Sequence, residues 1–286
     1  MSAPDLWTLG GHDWQTAPAP DLAAALSILI YVLGARRVRG GWPIARTASF
    51  AAGLAVMLIA VQSGYDTYDD QLLSAHMLQH LLLLELAPLL LLGGRPVMLA
   101  LRAAPARRRA GLSRALTRLG WVTHPLTCLA VFFVVVGVAH LPTFYDATLN
   151  HPLVHDGEHA AFLVAGLLMW WPVLDGDPAR RRRLGGLVRL SYVMVAMLPM
   201  TLIGAYLNRA PTVVYPAYIA PDRVRGISAV SDQQHAGAIM WVIGSMVMIA
   251  VGIWQTMAAL IAEERRHQRA ERHLDALPER TGGTPT

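Results

Sequence analysis

The stretch Leu72 to Leu92, LLSAHMLQHLLLLELAPLLLL, decides what kind of protein this is. A helix rising about 1.5 Å per residue needs roughly 20 apolar residues to cross the hydrocarbon of a bilayer, and this run supplies them. Yet it carries His76, His80 and Glu85. Ionisable groups in hydrocarbon are costly and are seldom placed there without a partner or a task. A second histidine pair, His155 and His159, opens another apolar run.

Working outward, the composition agrees with a membrane setting. The 286 residues are 54% hydrophobic and 15% charged, against about 25% charged in soluble chains. The reading is an all-α, polytopic membrane helical bundle with seven transmembrane helices. The spans are expected at about Leu22 to Ala35, Ala45 to Gln62, Leu72 to Leu92, Pro125 to His140, His155 to Val173, Leu187 to Leu207 and Asp232 to Ala262. Residues 1–19 read as a tail outside the membrane, 20–262 as the transmembrane domain, and 263–286 as a charged cytoplasmic tail. Pro88 and Pro199 predict kinks within their spans. LSRAL at Leu112 to Leu116 predicts a short helix along the surface, and SDQQ predicts a capping box with Ser231 as N-cap. No removable signal peptide is expected before the first span. The lone Cys128 offers neither a disulfide framework nor a cysteine metal site within one chain.

Arginine placement sets the orientation. Arg clusters follow spans one, three and five, including Arg36, Arg107 to Arg109 and Arg180 to Arg183; aspartates dominate the turn YDTYDD after span two. By the positive-inside rule the N-terminus lies outside and the C-terminus in the cytoplasm. The loop with Arg209, Asp222, Arg223 and Arg225 mixes signs without reversing this. The net charge of +5 is thereby explained by topology and lipid headgroups, with no nucleic-acid partner implied. Trp42, Trp121, Trp170 and Trp171 would mark one membrane interface, and Tyr65, Tyr68, Tyr145 and Tyr218 the other.

In that topology six of the eleven histidines, His76, His80, His140, His155, His159 and His235, fall at the outer ends of four spans, with Asp232 beside them. The two i,i+4 pairs each point both rings off one helix face. Facing each other, they would offer four imidazoles to a transition metal, since imidazole suits copper, zinc, iron and nickel. The predicted metal ligands are therefore His76, His80, His140, His155, His159 and Asp232, with Asp232 either completing the shell or orienting a ring. Glu158 lies between the paired histidines. Glu85 sits about 13 Å deeper than His76 at 1.5 Å per residue and is expected to pair with Arg or Tyr, or to line an ion path. Met194, Met197 and Met200 suit either core packing or a copper-transfer ladder. His140, His151 and His235 taken singly suit helix ends equally well. No HExxH-type hydrolase motif occurs, so an enzymatic role is not favoured.

These residues carry a resemblance. SAHMLQHLLLLELAPLLLLGGRPVMLALR, HLPTFYDATLNHPLVHDGEHAAFLVAGLLMWWPV and PAYIAP followed by SDQQHAGAIMW resemble, in order, three blocks of the CtaG family of membrane cytochrome c oxidase assembly factors. The resemblance covers about Ala23 to Ala262. It implies a seven-helix protein of the bacterial inner membrane that helps mature the copper-containing part of a respiratory oxidase. Its partners would be an oxidase subunit or another copper chaperone, together with membrane lipids. The family pattern falls on His76, Met77, Gln79 and His80, on His140, on His155, Glu158 and His159, and on Asp232, Gln233 and Gln234; His235 departs from it. The expected function is a copper-binding, metallochaperone-like assembly factor, with zinc or iron as other candidate ions. The alternatives are a membrane metalloenzyme or a heme-binding electron-transfer protein using the same histidines.

Overall fold

The computed structural model describes residue 6 and residues 9–174, 184–219 and 226–275. The Arg180 to Arg183 run, the loop positions Asp222, Arg223 and Arg225, the first residues of the N-terminal tail, the end of the C-terminal tail and the side chain of His273 lie outside that set.

Every long element among the described residues is helical. Helices α1 (Pro18–Arg37) and α2 (Ile44–Gln62) are followed by the single turn α3 (Gly64–Thr67). The histidine-bearing stretch is α4 (Leu73–Leu81), a π-helical turn at Leu82–Leu86, and α5 (Ala87–Gly93). After Arg95, in the left-handed region at φ 54°, the chain resumes as α6 (Pro96–Ala103). Then come α7 (Ala106–Arg118), α8 (Pro125–Ala139), α9 (Pro142–Asn150) and α10 (Pro152–Trp170). The last part is α11 (Gly186–Arg209), α12 (Ala229–Ala238), a second π-helical turn at Ile239–Ile243, and α13 (Gly244–Asp275).

Among the described residues, five stretches are long and apolar enough to cross a membrane: Pro18–Arg37, Ile44–Thr67, Leu73–Ala103, Gly186–Arg209 and Ala229–Arg269. A sixth joins them if Ala106–Trp121 and Pro125–Ala139, which meet at 61°, form one bent span. Length and apolarity therefore single out five or six spans among the described residues. The 19-residue α10 falls outside the set because His155, Asp156, Glu158 and His159 crowd its first half. The outward faces are apolar, with Leu26, Leu29, Ile30 and Leu33 on α1, Leu198 and Leu202 on α11, and Trp254 and Met257 on α13 all exposed. The polar groups are turned inward. That inversion of the soluble pattern is what hydrocarbon demands, since a bare charge facing lipid has nothing to solvate it.

Several local expectations are corrected. The disturbance expected at Pro88 is the π-helical turn just before it, while α11 runs unbroken through Pro199. LSRAL belongs to the longer α7, none of whose residues is buried. The last span begins at Ala229 rather than near Asp232, and its N-cap is Ser228, whose Oγ accepts from the Ser231 amide at 3.1 Å. Trp170, Tyr145 and Tyr218, expected at membrane interfaces, are all fully buried in the core.

Candidate metal centre

Two close approaches hold the histidine-bearing helices in register. Gly166 of α10 rests on the backbone of the π-helical turn: a Cβ there would strike the Leu84 carbonyl and lie 2.7 Å from Pro88 Cγ. Only glycine permits this seam between α10 and the α4–α5 helix. At the other end of α4, the first peptide N–H groups have no partner within the helix. Asp232 supplies one from α12, accepting from the amides of Leu73 at 2.8 Å and Ser74 at 3.4 Å and from the Ser74 hydroxyl.

Between these fixtures the two histidine pairs meet. The rings of His76 and His80 stand 4.1 Å apart between centroids, as do those of His155 and His159. Across the helices His76 faces His155 at 5.7 Å and His80 faces His159 at 6.1 Å. The four rings thus form a contiguous quadrilateral near one end of the bundle. Its ligand atoms divide into two groups rather than forming one four-imidazole shell. The inner group is His76, His80 and Glu158, all buried; the outer is Asp66, Asp69, His155 and His159, partly open.

The two groups differ in how closely their atoms approach. In the outer one, His155 Nε2 stands 2.8 Å from Asp69 Oδ2, while His159 Nε2 is buried without a hydrogen-bond partner. In the inner one, His76 Nε2 and His80 Nε2 lie 3.7 and 3.6 Å from Glu158 Oε2, too far for hydrogen bonds. All ring nitrogens of His76 and His80, and both oxygens of Glu158, are buried without a hydrogen-bond partner. Unpaired polar atoms cost about 1–3 kcal/mol each when buried, so this concentration demands an explanation. A cation supplies one. An ion about 2.0–2.2 Å from nitrogen and oxygen ligands holds them roughly 3–4 Å apart, which is the observed spacing. The donor set of two imidazoles and a carboxylate fits a borderline transition-metal ion.

The other predicted ligands are placed as follows. His140 closes α8, its ring 6.5 Å from that of His80, with Nδ1 donating to the Val136 carbonyl at 2.7 Å. Asp232 belongs to neither group; its carboxylate is spent on the start of α4. His235 is exposed on the far face of α12. Glu85, expected to pair with Arg or Tyr, has no hydrogen-bond partner for either oxygen and lies against Gly244. Of the three methionines, Met194 is 45% exposed, whereas Met197 and Met200 are buried.

Tyrosines and a glutamine frame the site. Gln79 donates to the Ala60 carbonyl and to Asp66 Oδ1, each at 2.9 Å, tying α4 to the turn that carries the outer carboxylates. Tyr218 donates to the Asp69 carbonyl at 2.6 Å, which leaves Tyr145 to donate to Tyr218 at 2.9 Å. Tyr215 donates to the His140 carbonyl at 3.1 Å. Burial pushes all three phenols above their ordinary range, so they remain protonated donors. The sequence reading missed Asp66 and Asp69, and it named Glu158 without including it among the ligands. The dense acidic turn and the glutamate inside HDGEH were the available signals.

No solved structure matches the chain. It is similar to uncharacterized proteins of three mycobacteria. One from Mycobacterium leprae is 27% identical over 86% of this chain and 39% of its own length. Those from Mycobacterium bovis and Mycobacterium tuberculosis are each 26% identical over 84% of this chain and 38% of theirs. The chain thus spans about two fifths of the length of these relatives. Residues 29–260 match the family described as cytochrome c oxidase caa3 assembly factor. By a match over most of its length, this membrane helical protein belongs to the Caa3_CtaG family.

Proposed function

We propose that the protein is a copper-binding assembly factor that holds metal for the maturation of a cytochrome c oxidase. Family membership supplies the process, and the inner group supplies the chemistry. The single observation that carries the reading is the set of bare, buried ligand atoms on His76, His80 and Glu158 at ion-spanning separations. His155 and His159, with Asp66 and Asp69, form a more open approach on the outer side. His140 and Asp232 complete the predicted set, the first beside His80 and the second as the group that fixes the start of α4. Copper, when bound, is cargo to be handed on; this chain's residues hold it, exclude water from it and supply the negative charge that a cation in a low-dielectric interior requires. Zinc or iron in the same ligands is the competing occupancy.

The reading includes seven spans, with the short α8 and the polar-ended α10 both crossing a bacterial inner membrane. The N-terminal tail (1–19) and the histidines then lie on the outer side, and the charged tail (263–286) lies in the cytoplasm. The client is an oxidase subunit or another copper chaperone, with lipid around the bundle. A heme reading is disfavoured because His80 stacks on Phe162 at 4.1 Å and the four histidine rings crowd one another, which leaves no slot for a macrocycle between them.

The test is elemental analysis and metal titration of detergent-purified protein carrying no histidine tag. Wild type is expected to hold copper, and His76→Ala with His80→Ala to lose it. Full copper retention by that double variant overturns the reading.

A further inference from the structure

Beneath the inner group lies a small cavity of about 10 Å³ that the copper reading above does not use. It is lined by His80, His140, Met77, Met200 and Met240, with apolar side chains around them. The three methionines come from different elements, α4, α11 and the second π-helical turn, and all three are buried. Thioether sulfur is a weak hydrogen-bond acceptor but a good ligand for soft ions.

His140 has a defined role here. A carbonyl can only accept, so its Nδ1, 2.7 Å from the Val136 oxygen, carries the proton. Nε2 is then a free lone pair, and it is buried without a hydrogen-bond partner. A backbone carbonyl on one ring nitrogen is the usual device that aims the other at a metal. His80 is itself 4% exposed and presents ring nitrogens that are likewise unpartnered. On the far side, a Cβ at Gly244 would lie 3.0 Å from Met200 Cε and 3.2 Å from Glu85 Oε1, so the bare Glu85 carboxylate sits beside Met200.

We propose that His80, His140, Met77, Met200 and Met240 form a second, soft-metal site that takes a monovalent ion, Cu(I), below the inner group. This deepens the copper reading and rests on it for the identity of the cargo, but its methionine ligands are separate. Ligand softness then rises with depth, from carboxylate and imidazole in the outer group to thioether here, and His80 is common to both inner positions. Each bound ion keeps its own oxidation state; no electron transfer is part of the proposal.

The experiment uses the full chain in detergent. Cu(I) is titrated anaerobically under reductant against a chromogenic Cu(I) chelator, Zn(II) is titrated separately, and X-ray absorption reads the ligand atoms of bound Cu(I). Wild type is expected to show sulfur scatterers. Met200→Leu with Met240→Leu should weaken Cu(I) binding by about 10- to 100-fold while Zn(II) binding at the histidine and carboxylate group is unchanged, which also certifies the fold. His76→Ala with Glu158→Gln should do the reverse, losing Zn(II) and keeping sulfur-ligated Cu(I). Undiminished Cu(I) affinity in the methionine variant, or a wild-type spectrum with nitrogen and oxygen only, overturns the soft site. Failure of the copper reading is a different result, namely wild-type metal binding that His76→Ala with His80→Ala does not alter.

Discussion

The carboxylate of Asp232 caps a helix that begins 159 residues earlier, with Oδ2 accepting from the amide of Leu73 at 2.8 Å and Oδ1 from Ser74. Both partners are fully buried. A helix start enclosed in a membrane protein has no water to satisfy its N–H groups, and an aspartate there also opposes the positive end of the helix dipole. Asp232→Ala is expected to cost about 2–3 kcal/mol, the sum of a lost cap and amides left bare. Asp232→Asn keeps one acceptor and should cost less. Unfolding of the purified variants in detergent measures both, and equal stability of Asp232→Ala and wild type would contradict the capping role.

Glu158→Gln should act in opposite directions with and without metal. In the apo protein it removes a buried carboxylate that accepts no hydrogen bond, so stability should hold or rise, by about 1–3 kcal/mol at most. With metal present it removes the one anionic ligand of the inner group, and affinity should fall about 10-fold or more. Paired melting curves with and without added metal read the two effects. A variant that melts lower than wild type in metal-free buffer would show that Glu158 has a structural partner instead.

Tyr218→Phe tests the tyrosine frame. It deletes the donor to the Asp69 carbonyl and the acceptor for Tyr145, bonds of 2.6 and 2.9 Å. The expected loss is about 1–2 kcal/mol, with weaker metal binding in the outer group because Asp69 loses its anchor. Zinc titration beside a melting curve separates the two losses.

Much of this was legible in the residues. The apolar runs ended by Arg, Gly and Pro fix the helices closely: Leu22 to Ala35 was expected where α1 spans Pro18–Arg37, and Ala45 to Gln62 where α2 spans Ile44–Gln62. The i,i+4 spacing of each histidine pair fixes a shared face, and both faces do meet. What was hidden depends on contacts between distant segments. Asp66 and Asp69 sit in an acidic turn with no period to aim them, and Gln79, not local pattern, ties that turn to α4. Tyr145 and Tyr218 look like interface aromatics from composition alone, because only tertiary packing turns them inward. Asp232 reads as a ligand beside histidines until Leu73 and Ser74 take up its oxygens. Glu85 lacks the Arg or Tyr partner that its cost in hydrocarbon suggested.

Gly166→Ala probes the seam beneath the site. The added methyl meets the Leu84 carbonyl and the Pro88 ring, neither of which can swing aside. A destabilisation of about 1–3 kcal/mol is expected, together with weaker metal binding, since any relief must move α10 and its histidines away from α4. Melting and metal titration on the same preparation check both. A variant with wild-type stability and affinity would show that the helices can separate there without consequence.

On the proposed copper-holding function, that seam also bears on how a bound ion would be released. Where two main chains touch, there are no rotamers to adjust, so the gauge between the paired imidazoles is set before any ion arrives and stays set after it leaves. Under that proposal, loading and release would fall to the side chains and the tyrosine-framed mouth, and a recipient would have to compete for the ion at a rigid cradle instead of waiting for one to open.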